Sequence, residues 1–282
     1  MAQEDTVHET ELDTGLPAEL DTGRPSGRDT VRDPAEGAQV RAARPHTGRT
    51  RDGRRMREVL SYARRGSRLT DAQARAWHRL SGRWWIPEEA LDEAGFELTA
   101  RFGREAQLIV EIGSGIGEAT AALAAARPSY NVLAFEVWLP GVAQTLLRLE
   151  QAEVDNVRLA GVDAVWALEH LLEPESISEL WTFFPDPWPK TRHRKRRLVT
   201  PGFAAVAASR LEPGALWRLA TDWPDYAEQM VAVLDGEPLL DNEYDGPAPR
   251  WSQRPVTRFE RRGIRDGRPV TDLAYRRIPD PI

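Results

Sequence analysis

Hydrophobic and polar positions fall into two regimes along the 282 residues. Up to about residue 55 there is no periodicity. Gly, Pro, Thr and Arg dominate there, and the segment reads as disorder. From about residue 70 apolar positions recur either at helical spacing or in short unbroken runs. TDAQARAWHRLSG (70–82) opens on a Thr-Asp cap signal and predicts a helix. PEEALDEAGFELTARFG (87–103), with proline in its first turn, predicts a second. QLIVEIGSG (107–115) is an apolar run closing on glycines, the pattern of a buried strand. EATAALAAARP (118–128) is an alanine-rich helix stopped by proline. Strands then follow at 130–137, 177–187 and 215–223, with a shorter one leading into a helical turn within 156–168. Helices at 140–154, 200–214 and 225–236 separate them. This alternation predicts an α/β fold, doubly wound around a mostly parallel sheet. The last stretch, 257–278, breaks the pattern. Two short extended segments around Asp266-Gly267 predict a hairpin-like antiparallel edge.

Composition changes this picture little. Hydrophobic residues are 41 % and charged residues 29 %, ordinary for a globular chain. No apolar run approaches the roughly 18–20 residues that cross a bilayer, and the acidic, polar amino terminus is no secretory signal. There is no cysteine, which excludes disulfides, thiolate zinc sites and cysteine nucleophiles. The five histidines show no metal-binding spacing. A soluble cytoplasmic protein without a structural metal is expected. The net charge of −6 hides an asymmetry. Residues 1–40 carry ten acids against three arginines, whereas 41–68 carry ten arginines against Asp52 and Glu58. The chain therefore reads as an acidic tail and basic arm (1–55) followed by one folded domain (56–282).

The candidate chemistry begins at VEIGSGIG. Gly113, Gly115 and Gly117 stand where a strand turns into a helix and the backbone must lie close to a ligand. Alone, such a turn is a tight connection. Two acids follow it, each after its own strand. Glu136 can accept from ribose hydroxyls, and Asp163 can accept from the amino group of an adenine. Glu111, within the apolar strand, is costly to bury without a partner, and a cationic ligand near the loop would supply one. GIGEATA also resembles the turn of short-chain dehydrogenases, but their YxxxK pair is impossible here. The chain has two lysines, Lys190 and Lys195, and four residues before them stand Asp186 and Thr191.

FFPDPWPK closes the fourth strand. Prolines on either side restrict the backbone of Asp186, and Trp188 offers a flat face to a base. Lys190, Arg192, Arg194, Lys195, Arg196 and Arg197 follow, with His193 among them. So dense a cluster can neutralise several phosphates. A solvated basic loop is the plain alternative, but the neighbouring acid and tryptophan favour RNA.

The glycine turn and its acids resemble the class I S-adenosylmethionine-dependent methyltransferases. FFPDPWPKTRHRKRRLVTPGF, with EIGSGIGEAT, FEVWLPGV, ATDWPDYAEQM and TRFERRG, resembles the single-subunit bacterial tRNA (guanine-N7-)-methyltransferase (TrmB) family from about residue 60 to 277. The resemblance implies a Rossmann-like fold and an S-adenosyl-L-methionine site at Glu111, Gly113, Gly115, Glu136, Asp163 and Asp186, with Asp186 also the active-site acid. It implies substrate contacts at Lys190, Asp222, Thr257, Arg258, Phe259 and Glu260, and RNA contacts from Arg192 to Arg197. The implied target is guanine 46 in the variable loop of tRNA. Ser114 stands where many members carry cysteine. The resemblance implies no metal and no obligate protein partner, and the sequence does not fix an oligomeric state. Asp222 could instead cap the next helix, and Thr257 with Glu260 could form a capping pair. Two other functions stay open: methyl transfer to another RNA base or a protein, and an inactive RNA-binding module.

Overall fold

The computed structural model describes residues 61–62, 66, 68–91 and 96–280; the expected tail and arm at 1–55 lie outside them. Helix α1 (Asp71–Trp84) begins as its cap signal predicts: the Thr70 hydroxyl accepts from the Gln73 amide, and the Gln73 side chain accepts from the Thr70 amide in return. A two-residue strand, β1 (Trp85–Ile86), and two short helices, α2 (Glu88–Leu91) and α3 (Leu98–Phe102), follow. The single helix expected over 87–103 is thus two pieces. Gly103 ends the second in the left-handed conformation.

The alternating core then runs β2 (Leu108–Ile112), α4 (Glu118–Ala125), β3 (Asn131–Phe135), α5 (Leu139–Gln151), β4 (Val157–Ala160), α6 (Ala164–His170) and β5 (Ile177–Phe183). A 3₁₀ turn (Thr191–Arg196) leads to α7 (Pro201–Arg210), β6 (Leu211–Thr221), α8 (Pro224–Asp235), β7 (Leu240–Asn242), α9 (Arg258–Arg265) and β8 (Thr271–Arg277). The strands form one sheet in the order β1-β4-β3-β2-β5-β6-β8-β7. All pairings are parallel except those of β8, which runs antiparallel to both β6 and β7.

Alternate strand residues point to opposite faces, and each face has its own core. Ile109, Val132, Ala134 and Trp181 pack under α1, α4 and α5 with Trp84, Leu123 and Leu146. Val110, Leu133, Leu180 and Trp217 pack on the other face with Phe203 of α7 and Met230 of α8. Because both faces are covered, β2 and β3 are buried at every position.

The hairpin expected over 257–278 is a helix and a strand. Thr257 caps α9 by accepting from the Glu260 amide. At its far end the Gly267 amide reaches Ile264 O and the Arg268 amide reaches Gly263 O, with Gly267 at φ +70°. That pair of bonds is a Schellman closure. Asp266-Gly267 therefore ends a helix rather than turning a hairpin. The antiparallel edge exists, but its partners are β7 and β6, which are distant in sequence.

Candidate active site

The chain leaves β2 towards β3 on one side and leaves β5 towards β6 on the other. The order reverses between those neighbours, and open α/β sheets bind ligands in the crevice at such a point. A pocket lies there. The glycine turn, Glu111, Phe135 and Glu136 line it together with Phe184, Asp186 and Leu198 from the end of β5. Thr257 and Phe259 come in beside the turn, where a Cβ on Gly115 would meet the Phe259 ring at 3.7 Å.

The turn has φ values of +80°, +60° and +76° at Gly113, Gly115 and Gly117, which residues with a Cβ rarely adopt. It is tied to β3 by Gly113 and Ser114 amides donating to Phe135 O. Glu136 braces it further: one carboxylate oxygen accepts from Gly115 N at 2.7 Å and the other from Trp138 N at 2.8 Å. The acid read as a ribose ligand thus also holds the loop's shape. Glu111 is 2 % exposed and accepts from the Thr120 hydroxyl at 2.5 Å. Burial pushes its carboxyl up to about 7, the hydroxyl pulling the other way and the charge of Glu136 adding to the rise.

Asp163 lies between the pocket residues Val162 and Ala164. Its Oδ1 caps α6, accepting from Val165 N and Trp166 N. Its Oδ2 is buried with no hydrogen-bond partner among the described residues, as is the Ser114 hydroxyl. An orphaned carboxylate oxygen is costly inside a protein and fits a donor brought by a ligand. Acids around a glycine turn, with no cation among the described residues lining the pocket, suit a positively charged nucleoside ligand. S-adenosylmethionine fits these residues on that chemistry.

Across the pocket, Phe184 (φ +52°) and Trp188 (φ +45°) hold left-handed conformations on either side of Pro185-Asp186-Pro187. Non-glycine residues there cost of order 1–3 kcal/mol each and persist where surroundings fix them. Trp188 donates to Ser61 O at 2.8 Å. Arg196 lies 3.5 Å over its ring and His193 meets its edge. The face expected to receive a base is thus partly occupied by a guanidinium.

The basic cluster divides in the structure. Lys190, Arg192, Arg194 and Lys195 are exposed. Arg194 pairs with Asp225 at 2.7 Å. Loss of hydration, then the charges of Arg192, Lys190, Arg196 and Lys195, hold His193 below its ordinary pKa, so it is a neutral ring at pH 7. Arg197 is a correction. It is 1 % exposed, donating to Pro187 O, to both Asp225 carboxylate oxygens and to Gln229 Oε1, and lying over Tyr226. It anchors the PDP turn to α8 and has no face for RNA.

The expected substrate residues divide likewise. Thr257 and Phe259 reach the pocket. Lys190 stands outside on the surface. The Arg258 amide donates to Glu118 Oε2, with its side chain exposed. Asp222 lies behind α9 against Gly263, where an added Cβ would come within 2.8 Å of it, and it pairs with Arg268 at 2.9 Å. Glu260 is 1 % exposed and faces inward, held by Arg250 and by Arg254, which also grips Asp272 of β8. Sequence reasoning missed Arg254. Its signal was weak, since a buried arginine looks like any other until its two acids are placed.

A doubly wound sheet with an acid-ringed glycine turn at its switch point defines the class I S-adenosylmethionine-dependent methyltransferases. Residues 105–273 match a family model described as "Putative methyltransferase". A tRNA (guanine-N(7)-)-methyltransferase of Nocardioides sp. is 63 % identical over 238 residues, covering 84 % of this chain and 95 % of its own. That of Cutibacterium acnes is 46 % identical over 258 residues (88 % and 92 %), and that of Bordetella pertussis 45 % over 219 (78 % and 85 %). The chain belongs to the tRNA (guanine-N7-)-methyltransferase family.

Proposed function

We propose that this protein transfers a methyl group from S-adenosyl-L-methionine to N7 of guanine in tRNA, at position 46 of the variable loop. The observation that carries the reading is the convergence, on one pocket, of the acid-ringed glycine turn, Asp186 and the Thr257–Phe259 segment. Identity across nearly the full length of the Nocardioides enzyme supports the substrate. Residues 56–282 form the methyltransferase domain in this reading, with 1–55 outside it, and the protein works with tRNA in the cytoplasm. Among the described residues no helix is long and apolar enough to cross a membrane.

When bound, S-adenosylmethionine supplies an electrophilic methyl on a sulfonium. The chain's own residues bind and orient. Asp163 Oδ2 takes the adenine amino group, Glu136 the ribose hydroxyls, and Glu111 with the loop the cationic end. Guanine N7 has a lone pair and no proton, so no residue need act as a general base. The remaining task is in-line alignment and stabilisation of positive charge developing on the purine. Asp186, fixed between prolines at the pocket wall, is placed for that. Thr257 and Phe259 orient the base from the other side.

The test is transfer of tritiated methyl from S-adenosylmethionine to bulk tRNA, followed by nucleoside analysis. Label in N7-methylguanosine is expected. Label in another nucleoside or in protein would replace the substrate assignment, and absence of label would leave an RNA-binding module.

A further inference from the structure

Helix α9 carries a feature that methyl transfer does not use. Of its five exposed positions, four are arginine (Arg258, Arg261, Arg262 and Arg265) and the fifth is Ile264, 59 % exposed. Arg258 and Arg262, and Arg261 and Arg265, are like-charge pairs four residues apart, an arrangement that destabilises a helix. A helix that merely needed solubility would mix acids into this face. Its one exposed acid, Asp266 at the C-cap, meets Arg262 at 3.7 Å and Arg265 at 3.6 Å while bonding Arg268 at 2.9 Å. Surface pairs that long contribute little. The Arg262 and Arg265 side chains remain 67 % and 75 % exposed.

The helix is also fixed relative to the pocket. Glu118, at the start of α4 beside the glycine turn, accepts from Arg258 N at 2.5 Å and from the Arg261 side chain at 2.6 Å. On the inner side, Gly263 packs on Asp222 and Glu260 is clamped by two arginines. The first turn of α9 supplies Thr257 and Phe259 to the pocket wall. Arg258, Arg262 and Arg265 form a stripe of about 10 Å leading away from that wall.

We infer that Arg262 and Arg265 of α9 form a second RNA-backbone contact, so that the pocket mouth lies between two cationic rims: the exposed Lys190–Lys195 loop on the β5 side and this stripe on the other. A base entering the pocket from a single-stranded loop has a phosphodiester chain on both its 5′ and 3′ sides. A surface that grips one side leaves the base free to swing, whereas two rims fix both. The inference rests on the tRNA reading above, and RNA is favoured over an anionic membrane because the stripe continues into the wall of the pocket.

The test compares wild type, the double variant R262A/R265A and the charge-keeping R262K/R265K. Binding to an unmodified tRNA transcript is measured by filter retention at several salt concentrations, alongside initial rates of methyl transfer. Calorimetry with S-adenosylmethionine and thermal melting establish that each variant is folded. For R262A/R265A the slope of log affinity against log salt is expected to become shallower by about 1.4, two phosphate contacts at about 0.7 each. KM for tRNA should rise with kcat at saturating tRNA unchanged, and the lysine pair should restore most of the slope. An unchanged slope and KM in R262A/R265A overturns the inference while leaving the methyltransferase reading intact. Failure of the wild type to bind or methylate tRNA removes both. Loss of binding to vesicles of anionic lipid, with tRNA binding unaltered, overturns it in favour of a membrane contact.

Discussion

Arg197 separates what a basic cluster looks like in sequence from what it does in the fold. Replacing it with methionine keeps much of its length and removes the guanidinium. Five acceptors lose a bond to it: Pro187 O, Gln229 Oε1, the Asp225 carbonyl and both carboxylate oxygens of Asp225. Removing one partner of a buried ion pair costs about 3–5 kcal/mol. The Asp225 side chain is 30 % exposed and keeps Arg194, so the lower end, about 3 kcal/mol, is expected. For a domain of this size that lowers Tm by about 6–12 °C. R197K should fall nearly as far, because an ammonium cannot reproduce the bidentate fork. The assay is thermal or urea unfolding of R197M, R197K and wild type, with tRNA affinity measured over a salt series at a temperature where all are folded. Stability should drop while the salt slope stays put. A variant with wild-type Tm and a shallower slope would return Arg197 to the RNA surface and refute the burial argument.

Three further outcomes are expected. Asp186→Ala should keep its melting temperature and S-adenosylmethionine-independent fold while losing about 10²–10³ in kcat, the usual effect of deleting one preorganised charge contact; near-wild-type turnover would remove its role. Asp163→Asn should melt like wild type, since asparagine caps a helix as well as aspartate does. Its cofactor affinity should fall about tenfold or more as an amide donor replaces the orphaned acceptor, and unchanged affinity in calorimetry would unseat the adenine assignment. Glu111 has a folded pKa, about 7, above its ordinary value of 4.5. Between those values the folded state holds more protons than the unfolded one, so this group's contribution makes stability fall as pH rises from about 4.5 to 7 and level off above. Glu111→Gln should flatten that fall in ligand-free protein, and urea titrations that keep the wild-type pH dependence would show that the slope arises elsewhere.

Much of this was legible in the sequence because local rules and the global fold agree. Apolar runs such as Leu108–Ile112 and Asn131–Phe135 are short, unbroken and closed by turn residues, which leaves few structures open to them. The glycine turn and its following acids were legible for the same reason: in a doubly wound sheet, position after a strand is position at the binding rim. What was hidden depends on contacts distant in sequence. The α9 segment read as extended because Asp266-Gly267 signals both a hairpin and a helix end, and only the carbonyls of Gly263 and Ile264 decide between them. Arg197 read as surface because it closes the basic run Arg194-Lys195-Arg196, while Asp225 and Gln229, which claim it, lie 28 and 32 residues away. Glu260 read as a substrate ligand because neither Arg250 nor Arg254, which hold it inside the fold, could be seen reaching it.

The last of the described strands to be made, β8, is inserted between β6 and β7, and its Asp272 holds Arg254, which in turn steadies the Thr257–Glu260 wall. During translation the strands from β2 to β5 can emerge from the ribosome and assemble their rim while residues 271–277 are still being added. In the proposed reading, the half of the centre assigned to the methyl donor can therefore take shape first, and the half assigned to the nucleic acid waits for β8 to slide into place.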